Sequence, residues 1–269
     1  MLYHQILFVF NTTKTILDED KKIIDEHLKT FCNGVSYMLW TLEKAIKFTK
    51  QFYPIFLPIF ELDSEYKIVI CDFFRYLIMY HFGGLYTDFD FLIIKPLHLL
   101  INDLQNEKVS FYPPNNQPEI ILSEEWLNSL HKTNSLHNGI LISLRPKHPF
   151  WLKLIFEIFN DLCIQQVPIL SKDDVYTLTG PRKLATFYTN NVDSFRNIVY
   201  LPYFYFCPYI ASVRATNEKK IYNNALITGE LADEQWSFFN VHQYNELSKM
   251  CPESYFVCVY LGAGSMWKN

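Results

Sequence analysis

Between Ile68 and Ile94 the chain reads IVICDFFRYLIMYHFGGLYTDFDFLII. From Ile68 to Phe82 it is apolar nearly all round, so a helix here is predicted to be buried, and Gly83 and Gly84 are placed to end it. LYTDFDFLII is predicted as the strand that follows, stopping at Pro96. Four charged residues interrupt this greasy stretch. Asp72 and Arg75 stand three apart, on one face of the predicted helix. Asp88 and Asp90 stand two apart, so an extended chain turns both, with Tyr86, to one face and sends Phe89 to the opposite, buried face.

The surrounding sequence alternates strand-like and helix-like periods, the pattern of an α/β sheet covered by helices. Strands are predicted at 5–10 and 36–40, with a helix across ILDEDKKIIDEHLKTF between them and another, TLEKAIKFTKQFY, capped by Thr41. FYPIFLPIF carries Pro54 and Pro58 and reads as a connector. The second half is less regular. A stretch from Pro113 to His131 has no clear period, although EEWLNSLH fits a short helix. HNGILIS, IVYLP, ALITG and YFVCVYL read as strands, while Pro149 and Gly180 mark the openings of two helices. A single domain is expected, its first half about 1–100 and its second about 101–269.

Composition narrows the classes. With 49% hydrophobic and 19% charged residues, the chain has ample material for a core and no disordered signature. A net charge of −4 without runs of lysine or arginine argues against a nucleic-acid groove or a polybasic membrane surface. Six cysteines without a C-x-x-C pair suggest reduced, buried thiols rather than a zinc cluster or a disulfide scaffold. MLYHQILFVFNTT reads as a first strand, not a leader, and no apolar run is long enough for a membrane span, so a soluble, cytoplasmic protein with no transmembrane segment is expected.

Two carboxylates held as close as Asp88 and Asp90 repel each other, and a hard cation such as Mg²⁺ or Mn²⁺, taking oxygen ligands, relieves that cost. For Asp72 and Arg75 two readings stand side by side. They form an internal ion pair that pins the helix, or they face the same cavity as the two aspartates and bind hydroxyls or a phosphate. His81, His98, His137 and His148 read as structural or capping, since none has a partner at metal-ligand spacing.

CDFFRYLIMYHFGGLYTDFD resembles the D-x-x-R, Y-G-G-x-Y-x-D-x-D signature of metal-dependent sugar transferases of the GT-A fold. The nearest pattern is that of transferases related to the yeast initiating α-1,6-mannosyltransferase, with capsular polysaccharide transferases and, more distantly, clostridial glucosylating toxins. Matches elsewhere are His4-Gln5, Asn138-Gly139, His148-Pro149-Phe150, Thr179-Gly180-Pro181 and the closing GAGSMW. The resemblance implies a GT-A-type α/β fold and transfer of a sugar from a nucleotide-diphosphate donor, UDP-sugar favoured and GDP-sugar possible, to a glycan or protein acceptor. It implies retention of anomeric configuration. It places Asp72, Arg75 and Asn138 on the donor sugar, Tyr86 and Asp88 on the ribose side, and Asp90 with Asp88 at the metal. Phe8 or Phe10, or Leu7, would wall the base where the family has tryptophan, and Ser265 and Trp267 would approach the diphosphate. Cys258 and Gly262 stand where relatives place a third metal ligand. Two other classes share a D-x-D: a catalytically silent nucleotide-sugar-binding protein, and a phosphatase or phosphotransferase whose first aspartate is the nucleophile.

Overall fold

The computed structural model describes residues 1–7, 35–62, 66–88, 91–106, 108–109, 118–125, 135–206, 220–222, 225–227, 249 and 251–258. The expected α/β architecture is present. Strands β1 (Leu2–Leu7), β2 (Ser36–Thr41), β3 (Gly84–Thr87), β5 (Ile120–Ser123), β6 (Ile140–Ser143) and β7 (Ile198–Leu201) form one six-stranded sheet in the order β2-β1-β3-β6-β5-β7. β1 runs parallel to both β2 and β3, whereas β6 is antiparallel to β3 and β5. Two antiparallel ribbons lie outside it: β4 (Phe91–Ile93) with β10 (Phe256–Cys258), and β8 (Lys220–Tyr222) with β9 (Ala225–Ile227).

Alternation along the strands divides the core into two layers. Tyr86, Leu141, Ile120, Leu122 and Ile198 pack with the helices α1 (Leu42–Phe52), α2 (Ile68–Phe82), α4 (Pro149–Phe159) and α6 (Pro181–Asn191). Leu85, Ile140, Ile142, Ile121 and Val199 point the other way, against α3 (Leu97–Gln105) and the β4–β10 ribbon. Thr41 caps α1 as expected, accepting from the Lys44 N–H. Helix α2 has the expected bounds and is buried from Phe73 through Met79, so its position is set by apolar contact on all sides. The FYPIFLPIF connector is itself helical, a 3₁₀ turn over Pro54–Glu61. The helix expected over 16–31 lies outside the described residues, as do residues 126–131 of EEWLNSLH, whose Glu124 forms an isolated β-bridge with Leu136, and the stretch 113–131, expected to lack a clear period, contains strand β5.

The two glycines after α2 do different work. Gly83 ends the helix at φ 62, its N–H bonding to the Met79 C=O at 3.1 Å. Gly84, at φ 96, lies where a Cβ would sit 2.2 Å from the Leu2 carbonyl oxygen, so β3 pairs with β1 only because no side chain is there.

The single strand expected over Leu85–Ile94 is in fact two, in different sheets. The pairing of β3 with β6 ends at Thr87↔Ile140. Beyond it the Asp88 N–H donates to the Gly139 C=O at 2.7 Å, while the Asp88 C=O accepts from the Phe91 N–H at 3.2 Å and turns the chain out of the sheet. Phe89 and Asp90 lie outside the described residues, and with them the expectation that Asp88 and Asp90 share one face.

His4 on β1 locks this end of the molecule. Trp40 Nε1–H can only donate, so at 3.2 Å it fixes His4 Nδ1 as acceptor and leaves Nε2–H to donate to the Gly83 C=O at 3.1 Å. Burial holds the imidazole neutral, its pKa lowered from 6.5 to about 4. As pH falls through the unfolded value the denatured chain gains a proton that the native state refuses, so stability is lost over the window from 6.5 down to about 4. Relative to His4→Gln, the wild type should lose about 3 kcal/mol more unfolding free energy across that window. Parallel pH profiles in urea titrations would contradict this role.

Candidate functional site

In an open sheet, ligands bind outside the carboxyl ends of parallel strands where the connections diverge. Here that point lies between β1 and β3. β1 leads to β2 on one side, and β3 returns on the other. Asp88 follows β3 directly, and the antiparallel β6 delivers Asn138 and Gly139 to the same edge, because Ile140 pairs with Thr87.

The Arg75 guanidinium joins these pieces. Its Nη2 lies 3.1 Å from Asp72 Oδ1, and its Nη1 lies 3.3 Å from Asp88 and 2.8 Å from the Asn138 C=O. Tyr86 OH also donates to Asp88 Oδ1, and the Tyr86 ring stacks beneath the guanidinium, 5.0 Å from its carbon. Gly139 completes the seat: a Cβ there would come 2.7 Å from Asp88 Oδ2.

Exposure separates the roles. The side chains of Arg75 and Asp72 are 3% and 5% exposed, whereas that of Asp88 is 37% exposed. Burial works against the Arg75 charge, but Asp88, Tyr86 and Asp72 hold its pKa well above the ordinary value. Burial raises the Asp72 carboxyl above its usual range, opposed by Arg75 and by hydrogen bonds from Thr179 and Asn138. The neighbouring Cys71 thiol is pushed up by burial and stays protonated, in keeping with the reduced thiols expected from the sequence.

The sequence-derived set thus divides. Asp72, Arg75, Tyr86, Asp88 and Asn138 converge on one network. Asp90, Phe8, Phe10, Ser265 and Trp267 lie outside the described residues. The internal ion pair of Asp72 with Arg75 is present, and Arg75 is also bonded to the partly exposed Asp88. The His4-Gln5 match also resolves. His4 braces Gly83, while Gln5 Nε2 reaches Thr87 Oγ1 at 3.2 Å, and Tyr3 OH meets that same hydroxyl at 2.7 Å. His148 caps α4, as expected. His137 borders the site, its Nδ1 accepting from the Gly139 N–H at 3.3 Å.

Sequence reasoning had no role for Tyr76. Its hydroxyl donates to the Thr179 C=O at 2.9 Å and lies 3.4 Å from Asn138 Nδ2. Its place one turn after Asp72 was the available signal. For a divalent ion, Asp88 offers a partly exposed, hard oxygen donor, which fits. Arg75 and Tyr86 already engage that carboxylate, and among the described residues no group of three metal-ligating side chains is gathered. An ion there would draw on Asp90 and on ligand oxygens as well.

Residues 18–110 match the family described as the glycosyltransferase sugar-binding region containing DXD motif, a span that encloses Asp72, Arg75, Asp88 and Asp90. Inositol phosphoceramide mannosyltransferase 1 of Schizosaccharomyces pombe is 32% identical over 155 residues, 57% of this chain and 40% of that protein. Mannosyl phosphorylinositol ceramide synthase SUR1 of Saccharomyces cerevisiae is 48% identical over 121 residues, 44% of this chain and 25% of that protein. The chain therefore spans less than half the length of these curated relatives. Among solved structures, PaToxG Glycosyltransferase aligns with a TM-score of 0.48 at 14% identity, covering 72% of this chain and 69% of the other. Mouse xyloside xylosyltransferase 1 in its apo form aligns at 0.40 and 11% identity, covering 78% and 87%. Among the described residues no helix is long and apolar enough to cross a membrane.

Arg75→Ala would leave Asp72 buried without its counter-charge, and should cost about 3–5 kcal/mol of unfolding free energy in urea titration. A loss below about 1 kcal/mol would mean that the ion pair does not hold this part of the fold.

Proposed function

From a chain whose residues 18–110 match a glycosyltransferase sugar-binding region with the D-x-D motif, we propose a glycosyltransferase of the GT-A type. It moves a mannosyl group from a nucleotide-diphosphate sugar to an acceptor hydroxyl. The observation that carries the reading is the bridge from Arg75 to both Asp72 and Asp88, at the carboxyl ends of β1 and β3. Mannose is favoured because two relatives are named for mannosyl transfer, one of them to inositol phosphoceramide. That choice moves GDP-mannose ahead of the UDP-sugars favoured from the motif alone, and it adds a glycolipid to the glycan and protein acceptors.

In this reading the chain's own residues bind and orient. Asp72 and Asn138 accept and donate at the sugar hydroxyls. Asp88, the exposed member, faces the ribose and the diphosphate. Arg75 fixes these groups through its bonds to Asp72, Asp88 and the Asn138 C=O, and, enclosed to the same degree as Asp72, it would meet the donor sugar beside that carboxylate. Phe8 or Phe10 would wall the base, and Ser265 and Trp267 would close over the phosphates. A Mn²⁺ or Mg²⁺ ion held by Asp90 and Asp88 would, when bound, stabilise negative charge on the departing diphosphate. Retention of anomeric configuration through same-face attack is what the family resemblance implies, and among the described residues no second carboxylate pair of the glycosidase kind supports a covalent double displacement.

Nucleotide release in the presence of Mn²⁺ should be detectable with GDP-mannose and lost on chelation with EDTA. Saturable donor binding with no release would instead favour a silent binding protein. Asp90→Asn should lower turnover by at least about a hundredfold while leaving the melting temperature unchanged. Activity unaffected by that substitution would remove Asp90 from the metal site.

A further inference from the structure

Asp72 is held by three side chains, and they are not equivalent. Oδ1 receives Asn138 Nδ2 at 2.9 Å and Arg75 Nη2 at 3.1 Å. Oδ2 lies 3.0 Å from Thr179 Oγ1, a contact made across 107 positions of sequence, and that hydroxyl shares its one proton between this oxygen and the Val175 C=O at 3.2 Å. Rotation of a carboxylate about χ2 is intrinsically soft, so hydrogen bonds on both oxygens, not torsional preference, decide where its plane lies. Asn138 and Arg75 share one oxygen. Thr179 alone among these three holds the other.

Thr179 is itself rigidly placed. It is buried at the end of helix α5 (Lys172–Leu178), with its N–H on the Val175 C=O at 3.1 Å and the following Gly180 N–H on the same carbonyl at 2.9 Å. A Cβ at Gly180 would come 3.1 Å from the Tyr176 Cα, so the glycine lets α6 start tightly against α5. The Thr179 C=O accepts from Tyr76 OH at 2.9 Å, so backbone and side chain both grip one turn of α2, at residues 72 and 76. That carbonyl bond already tethers the corner. The hydroxyl adds something the tether does not, which is control of the Asp72 carboxylate.

We infer that Thr179 is a positioning residue for sugar-nucleotide binding: its hydroxyl fixes the plane of the Asp72 carboxylate and so couples the α5–α6 corner to the donor site. The inference rests on the glycosyltransferase reading. It extends that reading to a residue that touches Asp72 and not the reacting atoms.

Calorimetric titration tests it on the wild-type chain, Thr179→Val and Thr179→Ser, using the pair the wild type binds, GDP-mannose with GDP or UDP-glucose with UDP. Thr179→Val should weaken the sugar nucleotide about ten- to a hundredfold, while the nucleotide diphosphate lacking the sugar binds within about twofold of wild type. Thr179→Ser should restore the sugar nucleotide to within about threefold. In turnover assays the valine effect should appear chiefly in KM. If the valine variant does not fold, Thr179→Ala replaces it. Wild-type affinity in the hydroxyl-free variant would overturn the inference alone, as would equal weakening of both members of the pair. A wild type that binds neither pair would sink the glycosyltransferase reading, and the inference with it.

Discussion

A guanidinium buried to within 3% of full enclosure, shared between one enclosed carboxylate and one that reaches solvent, is the interaction on which the rest of this site depends. Removing such charges from water costs several kcal/mol per ion, and the cost is offset only when every member is hydrogen-bonded. Here each one is. Arg75 meets Asp72, Asp88 and the Asn138 carbonyl, and Asp72 meets Asn138 and Thr179 in addition. A well-packed apolar trio would hold the helix as firmly, so the retention of charge here is an argument for chemistry at the exposed end, where Asp88 lies.

The fold delivers these groups by close backbone approach more than by side-chain packing. Gly84 allows β3 to lie against Leu2, and Gly139 leaves the space that the Asp88 carboxylate occupies. The Asp88 N–H continues the β3–β6 register by bonding to the Gly139 C=O, and the turn closes when the Asp88 C=O accepts from the Phe91 N–H. Leaving the sheet here puts the carboxylate in the crevice beyond the ends of β1 and β3, where divergent connections leave room for a ligand.

Local pattern made part of this visible beforehand. The all-round apolar run from Ile68 to Phe82, the double glycine after it and the spacing of Asp72 from Arg75 are short-range facts, and the helix bears them out. The cap at Thr41 and the helix opening at Pro149 were legible for the same reason. The division of Leu85–Ile94 into two strands was not, because β3 pairs with β6 whereas β4 pairs with β10, a partner more than 150 positions away. Thr179 belongs to the Thr179-Gly180-Pro181 match, yet its contact with Asp72 spans 107 positions and has no periodic trace. Tyr76 lies within the apolar run of α2, and its hydroxyl acquires a partner only when the end of α5 is brought against that helix.

The most direct test is a crystal structure of the protein soaked with nucleotide diphosphate and Mn²⁺. The account requires difference density for the nucleotide in the crevice beyond Leu7 and Thr87, with the diphosphate on the Asp88 side and Arg75 still bonded to both aspartates. Nucleotide bound at another face of the sheet, or an Arg75 side chain swung away from Asp88 to make room for it, would contradict the account.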